Sequence, residues 1–174
     1  MTKIAIHPSV EIAWNIANIE ACHSGSERIE PIHFLLGALK IMDENFYSEA
    51  ESIDVSPQLI ESVVRMASQC RSAVRMSSEG IKIARRGIRK MLRRRGEAGP
   101  VHMLHRSGAS RYLFQKAGRR AHKLGSDELT LVHLFEELMS DLPPDASPFI
   151  QSRLTDSPSD SEEWPSYIPD PFGR

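Results

Sequence analysis

Residues 8–39, PSVEIAWNIANIEACHSGSERIEPIHFLLGAL, and residues 108–139, GASRYLFQKAGRRAHKLGSDELTLVHLFEELM, share one pattern. At an offset of one hundred, Ala17 falls on Ala117, Ala21 on Ala121, Gly25 on Gly125, Ser26 on Ser126 and His33 on His133. Similar residues coincide as well: Trp14 with Phe114, Ile29 with Leu129, Ile32 with Val132, Phe34 with Leu134 and Leu35 with Phe135. Self-similarity at a fixed offset marks a duplicated structural unit.

The shared residues have a physical meaning. Ala13, Ala17 and Ala21 recur every four residues, as do Leu113, Ala117 and Ala121. Small residues at that spacing make one helical face that lets another helix come close. Gly25 and Gly125 stand where such a helix ends, because glycine accepts the left-handed conformation of a C-terminal cap. A second helix is expected from Pro31, a residue suited to the first helical turn, and in the other copy after Thr130 as cap. The apolar runs Phe34-Leu35-Leu36 and Leu134-Phe135, with Leu138, supply the core.

Alanines, then glycine, then an apolar residue four positions on, then a histidine opening a Leu-rich helix: this order resembles the repeat of the N-terminal domain of the Clp family of protein-unfolding ATPases. The resemblance implies an all-α fold, a pseudo-two-fold pair of four-helix repeats. Repeat one is expected over about 8–70. It includes a helical stretch over 45–52, an "apolar, Asp, Val" turn at Ile53-Asp54-Val55, and a last helix over 58–69 capped by Ser56 with Pro57 in its first turn. Repeat two is expected over about 107–154. It matches well only to Met139, Pro143-Pro144 then stop the helix, and residues 145–154 form one short replacement. The domain thus runs over 1–154. In the family this domain docks substrates and adaptors, and only that role is implied here.

The repeats are separated by a basic insert over about 71–106. Within residues 77–95, Ile81, Ala84, Ile88, Met91 and Leu92 recur at helical spacing, and Lys82, Arg85, Arg86, Arg89, Lys90, Arg93 and Arg94 fill the remaining positions. Gly96 and Gly99-Pro100 end this basic amphipathic helix. Its charges are read in three ways: a solvated face on a helix whose apolar stripe packs on the repeats, a surface for nucleic-acid phosphates, or a membrane-docking face. Arg85, Arg86, Arg89 and Arg93 are the candidate polyanion-binding residues, and their joint replacement by Gln is expected to leave the fold intact.

The formal net charge of -1 conceals this asymmetry. Residues 1–79 carry 6 Lys and Arg against 11 Asp and Glu, residues 80–125 carry 14 against 1, and residues 126–174 carry 2 against 11. The last twenty residues, 155–174, combine Ser, Asp, Glu and Pro with Trp164, Tyr167, Ile168 and Phe172, the composition of a disordered acidic tail.

Composition argues against several functional classes. No apolar run is long enough to span a bilayer, no signal-peptide segment opens the chain, and Cys22 and Cys70 make no disulfide framework. A soluble, cytoplasmic protein is expected. No G-x-x-x-x-G-K-[ST] loop is present to cradle a triphosphate, so no ATP binding and no cofactor are expected. No Gly-x-Ser-x-Gly elbow, Cys-x-x-Cys pair or His-x-x-x-His helix supports catalysis or a metal site, and the chain reads as a non-enzyme.

The leading expectation is a protein-interaction module that binds protein clients, an adaptor or a Clp chaperone or protease component. The alternative is a nucleic-acid-associated protein using the helix over 77–95. In family members that recognise phosphorylated arginine, the resemblance implies a glutamate before the helix-opening histidine of each repeat. Here Ile32 and Val132 occupy those positions. They are the candidate protein-binding residues if exposed and core residues otherwise.

Overall fold

The computed structural model describes residues 3–47 and 56–154 of the chain. Its elements are β1 (Ala5–Ile6), α1 (Pro8–His23), α2 (Pro31–Met42), α3 (Pro57–Val74), α4 (Ser78–Arg93), α5 (Gly108–Lys123), β2 (Glu128–Leu129), α6 (Leu131–Ser140) and α7 (Ser147–Leu154). The protein is mostly helical, as expected. Residues 48–52 of the helical stretch expected over 45–52, the turn at 53–55 and the tail 155–174 lie outside the described residues.

α2 is the central element. All of its residues except Pro31 and Lys40 are buried, and it packs against α1, α3, α4, α5 and α6. A helix apolar on every face needs neighbours all round. Its closest approach is to α1. A methyl group on Gly37 would run into the carbonyl oxygen of Ala13, so only glycine permits this contact. Ala13, Ala17 and Ala21 are fully buried beneath it. The last carbonyls of α2 are satisfied from outside the helix: Arg71 of α3 donates to Met42 O at 2.9 Å and the Tyr47 hydroxyl to Ile41 O at 3.2 Å.

Several features recur one hundred residues apart. Gly25 and Gly125 both adopt left-handed φ, 68° and 71°. Ser26 N donates to Ala21 O and Ser126 N to Ala121 O, each at 2.9 Å. His33 Nδ1 accepts from Glu30 N at 2.9 Å, and His133 Nδ1 from Thr130 N at 3.2 Å, the reciprocal arm of a capping box at the start of α2 and of α6.

The strands cross over. β1 pairs in parallel with β2, and Ile29 forms a parallel bridge with Arg106. His7 N thus donates to Leu129 O at 2.9 Å, while Ser107 N donates to Ile29 O at 3.0 Å. Between these crossings Trp14, Phe34 and Phe114 form an aromatic knot, with centroids 4.9–6.0 Å apart. The Arg106 guanidinium lies over Trp14 and Phe114 at 4.4 and 4.7 Å.

Candidate functional site

The basic helix forms where expected, with Ser77 as cap: its hydroxyl accepts from Gly80 N at 3.0 Å. Successive residues turn by about 100°, so the sequence of α4 divides into three faces. Ile81, Ala84, Arg85 and Ile88 are buried on the side of α2. Gly80 and Gly87 face α7: a methyl on Gly87 would come within 2.5 Å of the Phe149 ring, and one on Gly80 would meet Arg153 at 3.7 Å. These glycines admit a neighbouring helix. The third face carries Arg86, Lys90 and Arg93, all exposed.

The four candidate arginines therefore do not share one surface. Arg85 is buried and bonded to Asp43 at 2.9 Å, with side-chain exposures of 9% and 2%. Removing one member of a buried ion pair strands the other charge. The expectation that Arg85 is replaceable without harm to the fold is corrected on that ground. Arg89 pairs with the buried Glu20 of α1 and keeps a partly exposed flank. Arg86 and Arg93 are exposed and, with Lys90 and Arg94, take part in no ion pair among the described residues. Arg86, Arg89, Lys90, Arg93 and Arg94 together line an open recess of about 320 Å³. The signal for Lys90 and Arg94 was present in the helical periodicity. The partners Glu20 and Asp43 carry no local pattern.

Beyond α4 the chain lies across α1 as a strap. Gly99 N donates to Cys22 O at 3.1 Å. The Asn18 amide grips the strap on both sides, its Nδ2 donating to His102 O and its Oδ1 accepting from Leu104 N, both at 2.8 Å.

The apolar candidates sit in or against the core. Ile32 is 7% exposed and belongs to the main core cluster, and Val132 is half-buried and packs against it. Neither offers a free apolar patch. Burial lowers the His33 pKa to about 4. Its Nδ1 accepts the backbone bond already described, so Nε2 carries the proton and faces Ser24 Oγ at 3.2 Å. Burial also lowers the His133 pKa, with Arg120 acting in the same direction and Glu136 opposing. Both thiols are buried. That of Cys70 is pushed up to about 12, first by burial and then by Glu136, against Arg71, which leaves it protonated at neutral pH. Among the described residues no group of three or more His, Cys, Asp or Glu is gathered to hold a metal ion, and no helix is long and apolar enough to cross a membrane.

No protein-family model matches the chain, and no curated protein matches it.

Proposed function

We propose that this chain is a non-catalytic protein-interaction module built as a pseudo-two-fold pair of Clp-type repeats, which binds protein clients, an adaptor or a Clp chaperone or protease component. The observation that carries the proposal is the reciprocal crossing of the lead-in segments: His7 to Leu129 and Ser107 to Ile29 are the same bond made in both directions at an offset of one hundred. The matched glycine caps and histidine capping boxes support it. His33 and His133 serve as helix caps, and Cys22 and Cys70 lie buried in the fold.

The copies differ where they would matter for a ligand. Gly37 of α2 corresponds to Glu137 of α6. In the first unit the helices close on that glycine. In the second, Glu137 stands between them and accepts from Arg120 at 2.7 Å. The helix contact of the second unit is therefore the more polar of the two.

The test is affinity capture on the immobilised full chain from native lysate, with and without nuclease. Recovery of chaperone or protease subunits that survives nuclease is expected. Recovery of nothing beyond nucleic-acid-dependent species overturns the reading. A narrower expectation concerns phosphoarginine. A guanidinium is held by a bidentate carboxylate, and Ile32 and Val132 present none. A phosphoarginine peptide is expected not to bind the wild type, and saturable binding in a calorimetric titration contradicts that.

A further inference from the structure

The cations of α4 fall into two chemical sets. Arg85 and Arg89 are committed to Asp43 and Glu20 and hold the helix against the rest of the fold. Arg86, Lys90, Arg93 and Arg94 remain without acidic partners among the described residues, on a helix that those two ion pairs and α7 keep from turning. A solvated charge run usually alternates in sign or scatters round a helix. Here no acidic residue lies between Glu79 and Glu97, and the free cations gather along one open recess of about 320 Å³.

We infer that this recess is a binding site for the phosphate backbone of duplex nucleic acid, read without regard to sequence. The row from Arg86 to Arg94 rises about 12 Å along the helix. Each strand of a duplex carries one phosphate per 3.4 Å or so of duplex axis, so a row laid along that axis spans the rise of about three or four phosphates of a strand. Three of the four free cations are guanidiniums, whose planar fork matches two phosphate oxygens at once. Every residue lining the recess is Arg or Lys. No aromatic side chain lines the recess, so the stacking platform on which single-strand binders rely is absent, which favours a duplex over a single strand. Arg and Lys can meet guanine edges, but no amide or carboxylate lines the recess to read the other bases, so the dominant contact is to phosphate. The site is independent of the protein-interaction reading and stands or falls separately.

The test is fluorescence anisotropy of a short labelled DNA duplex of arbitrary sequence, titrated with the full chain across a salt series. Four phosphate contacts weaken binding by about 100-fold between 50 and 200 mM salt. The R86Q/K90Q/R93Q/R94Q variant is expected to lose this binding at low salt, its circular dichroism matching the wild type. Single R86Q and R93Q variants are each expected to reduce the salt slope by about one, which keeps the test informative if the quadruple variant fails to fold. A control removing exposed cations elsewhere, R111Q/R119Q/K123Q, keeps binding. Three outcomes overturn the assignment: no binding by the wild type at low salt, equal losses in the control and in the recess variant, or binding that appears only after Asp156, Asp160, Glu162 and Glu163 are neutralised. The last would make the chain's own acidic tail the occupant.

Discussion

His33 is a residue whose protonation state decides whether a helix cap is made. Its Nδ1 must be unprotonated to accept from Glu30 N, and burial holds its pKa near 4. In the unfolded chain the ordinary value is about 6.5. The unfolded state therefore binds a proton first as pH falls. Stability from this residue is complete above about pH 6.5 and is lost progressively toward pH 4, by on the order of 3 kcal/mol. His133 is shifted in the same direction and adds to the trend. Urea unfolding across this range is expected to show the decline, and His33→Gln, which keeps a capping side chain without a titrating one, is expected to flatten it. If the variant keeps the full slope, the histidine is not its source. Two glycines make an opposed pair. Gly37→Ala drives a methyl into the Ala13 carbonyl and is expected to cost roughly 1–3 kcal/mol. Gly118 lies within α5 with nothing within 4 Å of an added methyl, so Gly118→Ala is expected to stabilise by roughly 0.5–1 kcal/mol. Thermal melts of the two variants shifting the same way contradict this.

At the scale of the element, α4 shows what periodicity reveals and what it hides. Its existence, its limits within two residues and its apolar stripe were legible, because a 3.6-residue period and a serine cap are local signals. The division of its arginines was not. Arg85 sits 140° round from Gly80 and Arg86 a further 100°, yet the letters are identical. Only Asp43, forty-two positions away, decides that Arg85 is structural. Gly80 and Gly87 cost a helix stability in general and here act as the seat of α7. Arg85→Met is expected to destabilise by roughly 3–5 kcal/mol, since Asp43 is left buried without its cation. Arg86→Gln is expected to change stability by no more than about 0.5 kcal/mol. Chemical denaturation separates the two, and equal effects would put Arg85 at the surface with its neighbour.

Across the whole molecule the charge asymmetry resolves into pairs that run both ways from the basic middle. Arg85 and Arg89 reach back to the acidic first segment. Arg95, Lys116 and Arg120 reach forward to Asp145, Asp141 and the Glu136-Glu137 pair. The blocks of charge were legible, and their pairing was not, because ion pairs of long sequence separation leave no local pattern. The self-similarity of 8–39 and 108–139 was legible because caps and core spacing are fixed by backbone geometry. The replacement of Gly37 by Glu137 was readable in the same alignment, and its effect on helix spacing follows from the packing of α1 on α2.

The crossing of the lead-in strands has a consequence for the order in which the chain can fold. β1 leaves the helices that follow it and completes the edge before α6, while Arg106 completes the edge before α2. Neither half closes on itself, and each is finished by an arm from the other. Both edges join residues about eighty or more positions apart, so neither forms from local contacts and both wait until the two halves of the chain have come together.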